Sequence, residues 1–199
     1  SDFVRIGLTT HTFWPEFIGG RELHVKNLAS CLSKKHEVIV FAGSRTRFLE
    51  REKMGDFIVY RIPMVSIKCS NGLYYRIAPK IFGLFKEAGL DIIHSHEFRH
   101  FTTDAAAIYS RLSGTPFLLT YHGYYLPSLH LRILRRIYDK TMGLFVLKQA
   151  KKIICVSQTQ ADDFRVFGRN ITKKIETIPN GIDLGSIRPE PNSEERTVF

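Results

Sequence analysis

Long apolar runs are absent from this chain. Nowhere do about 18 apolar residues follow one another, so no helix is expected to cross a membrane. Cysteine is scarce: three residues, Cys31, Cys69 and Cys155, stand far apart with no C-x-x-C pair. That removes the usual metal framework and points to a reducing, cytoplasmic compartment. Cys31 and Cys155 fall in apolar helix and strand patterns, where each reads as a small core hydrophobe. The dinucleotide fingerprint G-x-G-x-x-G is missing, which argues against a nicotinamide or flavin dehydrogenase. The phosphate-loop pattern G-x-x-x-x-G-K-[ST] is missing too, which argues against a nucleotide-hydrolysing motor. No homeodomain, zinc-finger or RNA-binding signature occurs, so nucleic acid is not expected as a partner. Internal repeats and low-complexity tracts are also absent.

What remains is ordinary in size and rich in signal. The 199 residues fit one domain, or one domain and a stub, and 44% hydrophobic residues are enough for a core. The net charge of +10 attracts anions such as phosphorylated small molecules or acidic lipid headgroups. A basic surface that only keeps the protein soluble accounts for the same charge.

Apolar runs of strand length alternate with helical periodicity from end to end. Strands are expected at Phe3–Leu8, Glu37–Ala42, Phe57–Ile62, Leu90–His94, Phe117–Tyr121, Lys152–Val156 and Lys174–Ile178. A helical stripe runs through Leu23, Val25, Leu28, Ala29, Cys31 and Leu32. Further helices are expected from near Ala78 to 88, with Pro79 in the first turn, and at Thr103–Leu112, Leu129–Ala150 and Gln158–Phe167. Leu134, Ile137, Tyr138 and Phe145 mark the apolar side of the long one. The charged segment 44–55 reads as a mobile surface loop. Continuous apolar strands alternating with helices imply an α/β, doubly wound, mostly parallel sheet of the Rossmann-like kind. In such sheets ligands bind beyond the carboxyl ends of the strands.

At the first strand end, a loop carrying Phe13, Trp14 and Pro15 runs into Gly19-Gly20 and a helix. Two glycines at a helix start allow close backbone approach, and the free N–H groups there favour a phosphate. A tight turn that only needs glycine is the plainer reading. The aromatic pair Phe13 and Trp14 either stacks on a ligand or pins the loop to the body. The fourth strand ends His94-Ser95-His96-Glu97. Its two histidines share one side of a strand, so a metal is conceivable with His11, His122 or Asp104 as further ligands. Satisfied strand-end histidines are the expectation, and no metal is assigned. The fifth strand ends Tyr121-His122-Gly123, where His122 is presented beside open space as a hydrogen-bond donor or acid–base group, or as a mere cap. Ser157 suits a helix N-cap.

Taken together these positions resemble the retaining glycosyltransferases of family 4, which have the two-domain GT-B fold. The resemblance lies in Pro15 and Gly19-Gly20-Arg21-Glu22-Leu23, Asp91-Ile92-Ile93-His94-Ser95-His96, Tyr121-His122-Gly123, Val156-Ser157, and Ile178-Pro179-Asn180-Gly181-Ile182-Asp183. It implies that residues 1–186 form the N-terminal, acceptor-side domain, and that 187–199 are a linker and the start of a C-terminal donor domain. It further implies a nucleotide-sugar as donor substrate, no cofactor, and retention of the anomeric configuration. Gly19 and Gly20 would meet the donor diphosphate or an acceptor phosphate, and His122 would be the catalytic group beside the sugar. Trp14, His96 and Glu97 are acceptor-side candidates, and Asn180 and Gly181 a hinge. The acceptor would be a sugar or a lipid. The basic segments 44–55, Tyr74–Phe85 and Arg132–Lys152 add a peripheral acidic membrane surface as a partner. Two competing readings stay open: a non-catalytic anion- or metabolite-binding α/β module, and a metal-dependent hydrolase using His94 and His96.

Overall fold

The computed structural model describes residues 3–70, 73–123 and 131–181. In chain order they form β1 (Arg5–Thr10), α1 (Gly20–Leu32), β2 (Glu37–Ser44), β3 (Glu50–Met54), β4 (Phe57–Pro63), β5 (Val65–Ser70), β6 (Leu73–Ile77), α2 (Ile81–Ala88) and β7 (Ile92–Ser95). There follow α3 (Phe101–Ser113), β8 (Phe117–Tyr121), α4 (Leu131–Tyr138), a π turn (Asp139–Gly143), α5 (Leu144–Gln149) and β9 (Lys152–Cys155). The last elements are α6 (Gln158–Asp162), a 3-10 turn (Arg165–Phe167), α7 (Arg169–Thr172) and β10 (Ile175–Thr177).

Eight strands make one sheet in the order β10-β9-β8-β7-β1-β2-β4-β3. Every neighbouring pair is parallel except β3–β4. The sheet is therefore α/β and Rossmann-like, as the alternation of strands and helices implies. Strand order reverses at β1, which has β2 on one side and β7 on the other. The crevice of a doubly wound sheet opens at that reversal.

Pleating sorts the side chains into two cores. Ile6, Leu8, Val38, Val40 and Val59 pack on one face, beneath Val25 and Ala29 of α1. Ile39, Phe41, Ile93, Phe117, Leu119 and Tyr121 pack on the other, against Leu84 and Phe85 of α2 and Ala105 and Ala106 of α3. On α1 the buried positions are Glu22, Val25 and Ala29, whereas Leu23 is 49% exposed. The apolar stripe is thus narrower than the leucines suggest.

Four expectations need correction. The segment 44–55 is not all loop, because Glu50–Met54 pairs antiparallel with β4 across Gly55 (φ +59). Its alternating charges suit an edge strand exposed to water. The helix expected from near Ala78 starts only at Ile81, and residues 73–77 ahead of it form the second strand of the β5–β6 hairpin. The long helix breaks into α4, the π turn and α5, with Ile133, Leu134 and Ile137 left 67%, 43% and 56% exposed. Cys31 is exposed rather than core, since α1 turns it away from the sheet; Cys155 is buried. The proposed 187–199 linker lies outside the described residues.

Candidate active site

The crevice at the β1/β7 boundary is lined by the residues that follow these two strands. His11, next after β1, donates its backbone N–H to Glu97 Oε2 at 2.7 Å, which ties the two strand ends together. Glu97 is 4% exposed, and its Oε1 lies 2.5 Å from Arg21 Nη1 in the first turn of α1. Arg21 Nη2 also donates to Thr12 Oγ1 (2.7 Å) and pairs with Glu22. Thr12 Oγ1 in turn donates to Glu22 Oε1 (2.6 Å). One guanidinium is thus shared by two buried carboxylates, and the start of α1 is welded to both strand ends.

Pleat parity decides which face the histidines take. Ile92 packs with the α1 core and Ile93 with the other, so His94 and His96 follow Ile92 toward α1. Phe117, Leu119 and Tyr121 point to the α3 side, which sends Thr120 and His122 toward α1. His94 Nε2 and Thr120 Oγ1 lie 2.7 Å apart. His122 Nε2 and His96 Nδ1 lie 3.5 Å apart. His24, one helical turn after Gly20, completes the group, with ring centroids 5.0 Å from His122 and 5.6 Å from His96. Gly123 (φ +87) turns the chain sharply after His122, and a side chain there would meet Gln160. Only glycine takes that left-handed backbone readily.

Six of the eight histidines (His11, His24, His94, His96, His100 and His122) gather at this end of the sheet. Burial, helped by His24 and Arg21, lowers His122 to about 4, and burial lowers His24. His11 and His100 are held near 4 and His94 near 3, burial being the largest cause in each. At neutral pH these rings are uncharged. His122 is therefore a neutral ring, able to donate and to accept a hydrogen bond. Burial raises Glu97 to about 6 against the pull of Arg21. Burial acts to raise Glu22 as well, but donation from Thr12 and Arg21 outweighs it and its carboxyl is lowered.

The start of α1 is open. Gly19 takes the N-cap position with extended backbone and no side-chain cap, and a Cβ added to Gly20 would meet nothing within 4 Å. Phe13 is fully buried against Phe57, so it pins the loop. Trp14 is half-buried beneath Lys26 Nζ, 3.8 Å from the ring centroid. Asn180 and Gly181 are exposed, and Gly181 borders a groove of about 430 Å³ along α1 with His24, Asn27, Leu28 and Cys31.

The structure therefore brings Gly19, Gly20, His96, Glu97 and His122 to one end of the sheet. Trp14 stands on the loop before α1, and Gly181 on the groove that reaches His24. Of the metal ligands considered with the H-x-H pair, His122 adjoins His96, whereas Asp104 is taken up by Tyr75 and Tyr138. His24 and Thr12 carry no signal of their own in the sequence, and Arg21 enters it only within the Gly19–Leu23 stretch. Helical spacing from Gly20, four residues for His24 and one for Arg21, places those two at the site.

The family model described as Glycosyltransferase Family 4 matches residues 18–186. Over 116 residues the chain is 28% identical to the UDP-Gal:alpha-D-GlcNAc-diphosphoundecaprenol alpha-1,3-galactosyltransferase of Escherichia coli, covering 56% of this chain and 28% of that protein. The crystal structure of Anabaena HepE in complex with UDP superposes with a TM-score of 0.62 at 17% identity, over 92% of this chain and 45% of HepE. The chain thus spans less than half the length of either relative. With its family model matched over most of its length, the chain belongs to Glycosyltransferase Family 4, and its fold is that of an N-terminal GT-B domain.

Proposed function

We propose that this domain is the acceptor-side wall of a retaining glycosyltransferase that moves a hexosyl group from a nucleotide-sugar to a sugar or lipid acceptor. The observation that carries the reading is that His122 and the open start of α1 face one crevice, joined through His24. Sugar transfer leaves negative charge on a departing diphosphate. The free N–H groups and dipole at Gly20 favour that charge, or the phosphate of a lipid-linked acceptor. His122, kept neutral, offers a hydrogen bond to a sugar hydroxyl without bringing a second cation beside the cationic sugar. Glu97 and His96 lie behind it on the acceptor side, and Trp14 edges the entrance. Asn180 and Gly181 serve as the hinge to a donor domain.

The relatives support the substrate classes. The E. coli enzyme uses UDP-Gal, makes an α-linkage and acts on a diphosphate-linked lipid, and HepE was crystallised with UDP. A nucleotide-sugar and a lipid-linked acceptor are accordingly the substrates to try first. The exposed Ile133, Leu134 and Ile137, interspersed with Arg132, Arg135 and Arg136 on α4, suit an acidic bilayer surface where such an acceptor resides. Cosedimentation with acidic but not with neutral vesicles is expected, and equal binding to both removes this part. Among the described residues no helix is long and apolar enough to cross a membrane.

The isolated chain holds only one wall of the groove, so it should not turn over. Screening nucleotide-sugars against this chain, and against the same domain joined to a donor domain, tests the proposal. Transfer by the longer protein alone is expected. Full turnover by the 199 residues, or none by the longer protein with any sugar donor, contradicts it.

A further inference from the structure

The His24, His96 and His122 rings converge on one point of the crevice. Their ligand nitrogens all lie within 4.8 Å of one another. Zinc–imidazole bonds of about 2.0–2.1 Å at tetrahedral angles put ligand nitrogens roughly 3.3–3.4 Å apart. His96 Nδ1 and His122 Nε2, at 3.5 Å, already stand near that spacing. The same distance is long for a hydrogen bond. His24 and His122 are only half-buried and can rotate the remaining ångström. His96 cannot: it is fully buried, and its Nε2 has no hydrogen-bond partner. The nitrogen that faces His122 is Nδ1, whose 3.5 Å contact is weak enough for a stronger partner to replace it.

The guanidinium beside the rings, Arg21, is paired with both Glu22 and Glu97. The three ligands come from separate elements, α1 and the ends of β7 and β8, each anchored by its own packing. His94, its tilted ring 4.2 Å from that of His96 and hydrogen-bonded to Thr120, packs against the central ligand. Three imidazoles with a fourth position open to the groove suit zinc and its nitrogen-seeking neighbours, not magnesium or calcium.

We propose that His24, His96 and His122 form a binding site for a zinc-class divalent cation, and that the bound ion switches the crevice off by occupying the His122 imidazole. The site acts as an inhibitory one and takes no part in sugar transfer.

The test is calorimetric titration of the untagged chain with zinc chloride at neutral pH, with cobalt absorption as a second readout of tetrahedral nitrogen coordination. One saturable equivalent is expected. His24→Ala should weaken it by more than about tenfold, while His36→Ala, outside the crevice, leaves it unchanged. A thermal melt of His24→Ala establishes that the variant is folded. No saturable uptake, or uptake that His24→Ala leaves intact, overturns the proposal. Binding is read on the chain alone, so its failure leaves the glycosyltransferase reading standing, and the converse also holds.

Discussion

Helices α1 and α3 begin alike and end up with different work. Each has 13 residues and follows one of the two strands at the sheet's reversal point, β1 or β7. Each has an extended N-cap residue with no side-chain cap, and a buried acid in its first turn, Glu22 or Asp104. The difference is what faces them. Asp104 accepts from Tyr75 (2.6 Å) and Tyr138 (2.5 Å), so the β5–β6 hairpin and α4 seal the α3 end. The α1 end is left open at Gly20, whereas a side chain at Gly19 would meet Glu22, and that acid is tied to Arg21 and Thr12. A helix start that the protein closes with its own side chains is a joint. One that it supports from behind and leaves open in front has room for a ligand.

Acid should break the comparison most strongly. The folded-state pKa values of His11, His100 and His122 are near 4 and that of His94 near 3, all below the ordinary 6.5. Their stabilisation is complete above pH 6.5 and is lost as pH falls through 4. For His100 the whole displacement is worth ~3 kcal/mol. Glu97, raised from 4.5 to about 6, has the opposite sign: its contribution is full below 4.5 and is lost as pH rises through 6. That returns only ~2 kcal/mol on acidification, less than one such histidine withdraws. Asp104 is also raised by burial, so its own contacts to Tyr75 and Tyr138 do not weaken in acid. His100, however, is the N-cap of α3, so amide exchange should rise between pH 7 and 5 at both helix starts, Gly20–His24 and Thr103–Ala107. Unchanged protection at both would contradict this.

A pair of substitutions separates the two helix starts by a smaller margin. Tyr138→Phe leaves a buried Asp104 oxygen without its donor and should cost about 1–3 kcal/mol of stability, read by denaturant unfolding, with substrate affinity unchanged. Gly20→Val has open space for its side chain and should change stability by about 0.5 kcal/mol or less, yet weaken phosphate-bearing ligands about tenfold by filling the approach. If the two effects exchange places, the roles given to α1 and α3 are reversed.

The strand-by-strand pattern carries most of the fold in the sequence, because buried parallel strands such as Val38–Ala42 are apolar on both faces. The alternation of His94 and His96, and the His122-Gly123 step, were legible for the same local reason. What escaped is tertiary or peripheral. His24 meets His122 only because α1 crosses back over the sheet, and nothing local marks a helical histidine for that encounter. The β3 edge strand hides behind its charges. The β5–β6 hairpin is not among the expected elements, although Asn71-Gly72, a strong turn dipeptide, stands between the two strands in the sequence. Leu134 and Ile137 look like core in sequence and are exposed, since periodicity marks an apolar face without saying what covers it.

The central claim is that His122 and the bare start of α1 form one wall of a sugar-transfer groove. The most direct measurement is kcat/KM for transfer from a nucleotide-sugar by the domain joined to its donor half, comparing His122→Ala with His36→Ala. The account predicts a fall on the order of 10²-fold for His122→Ala and an unchanged rate for His36→Ala. Equal rates for the two variants, with both proteins folded, would contradict it.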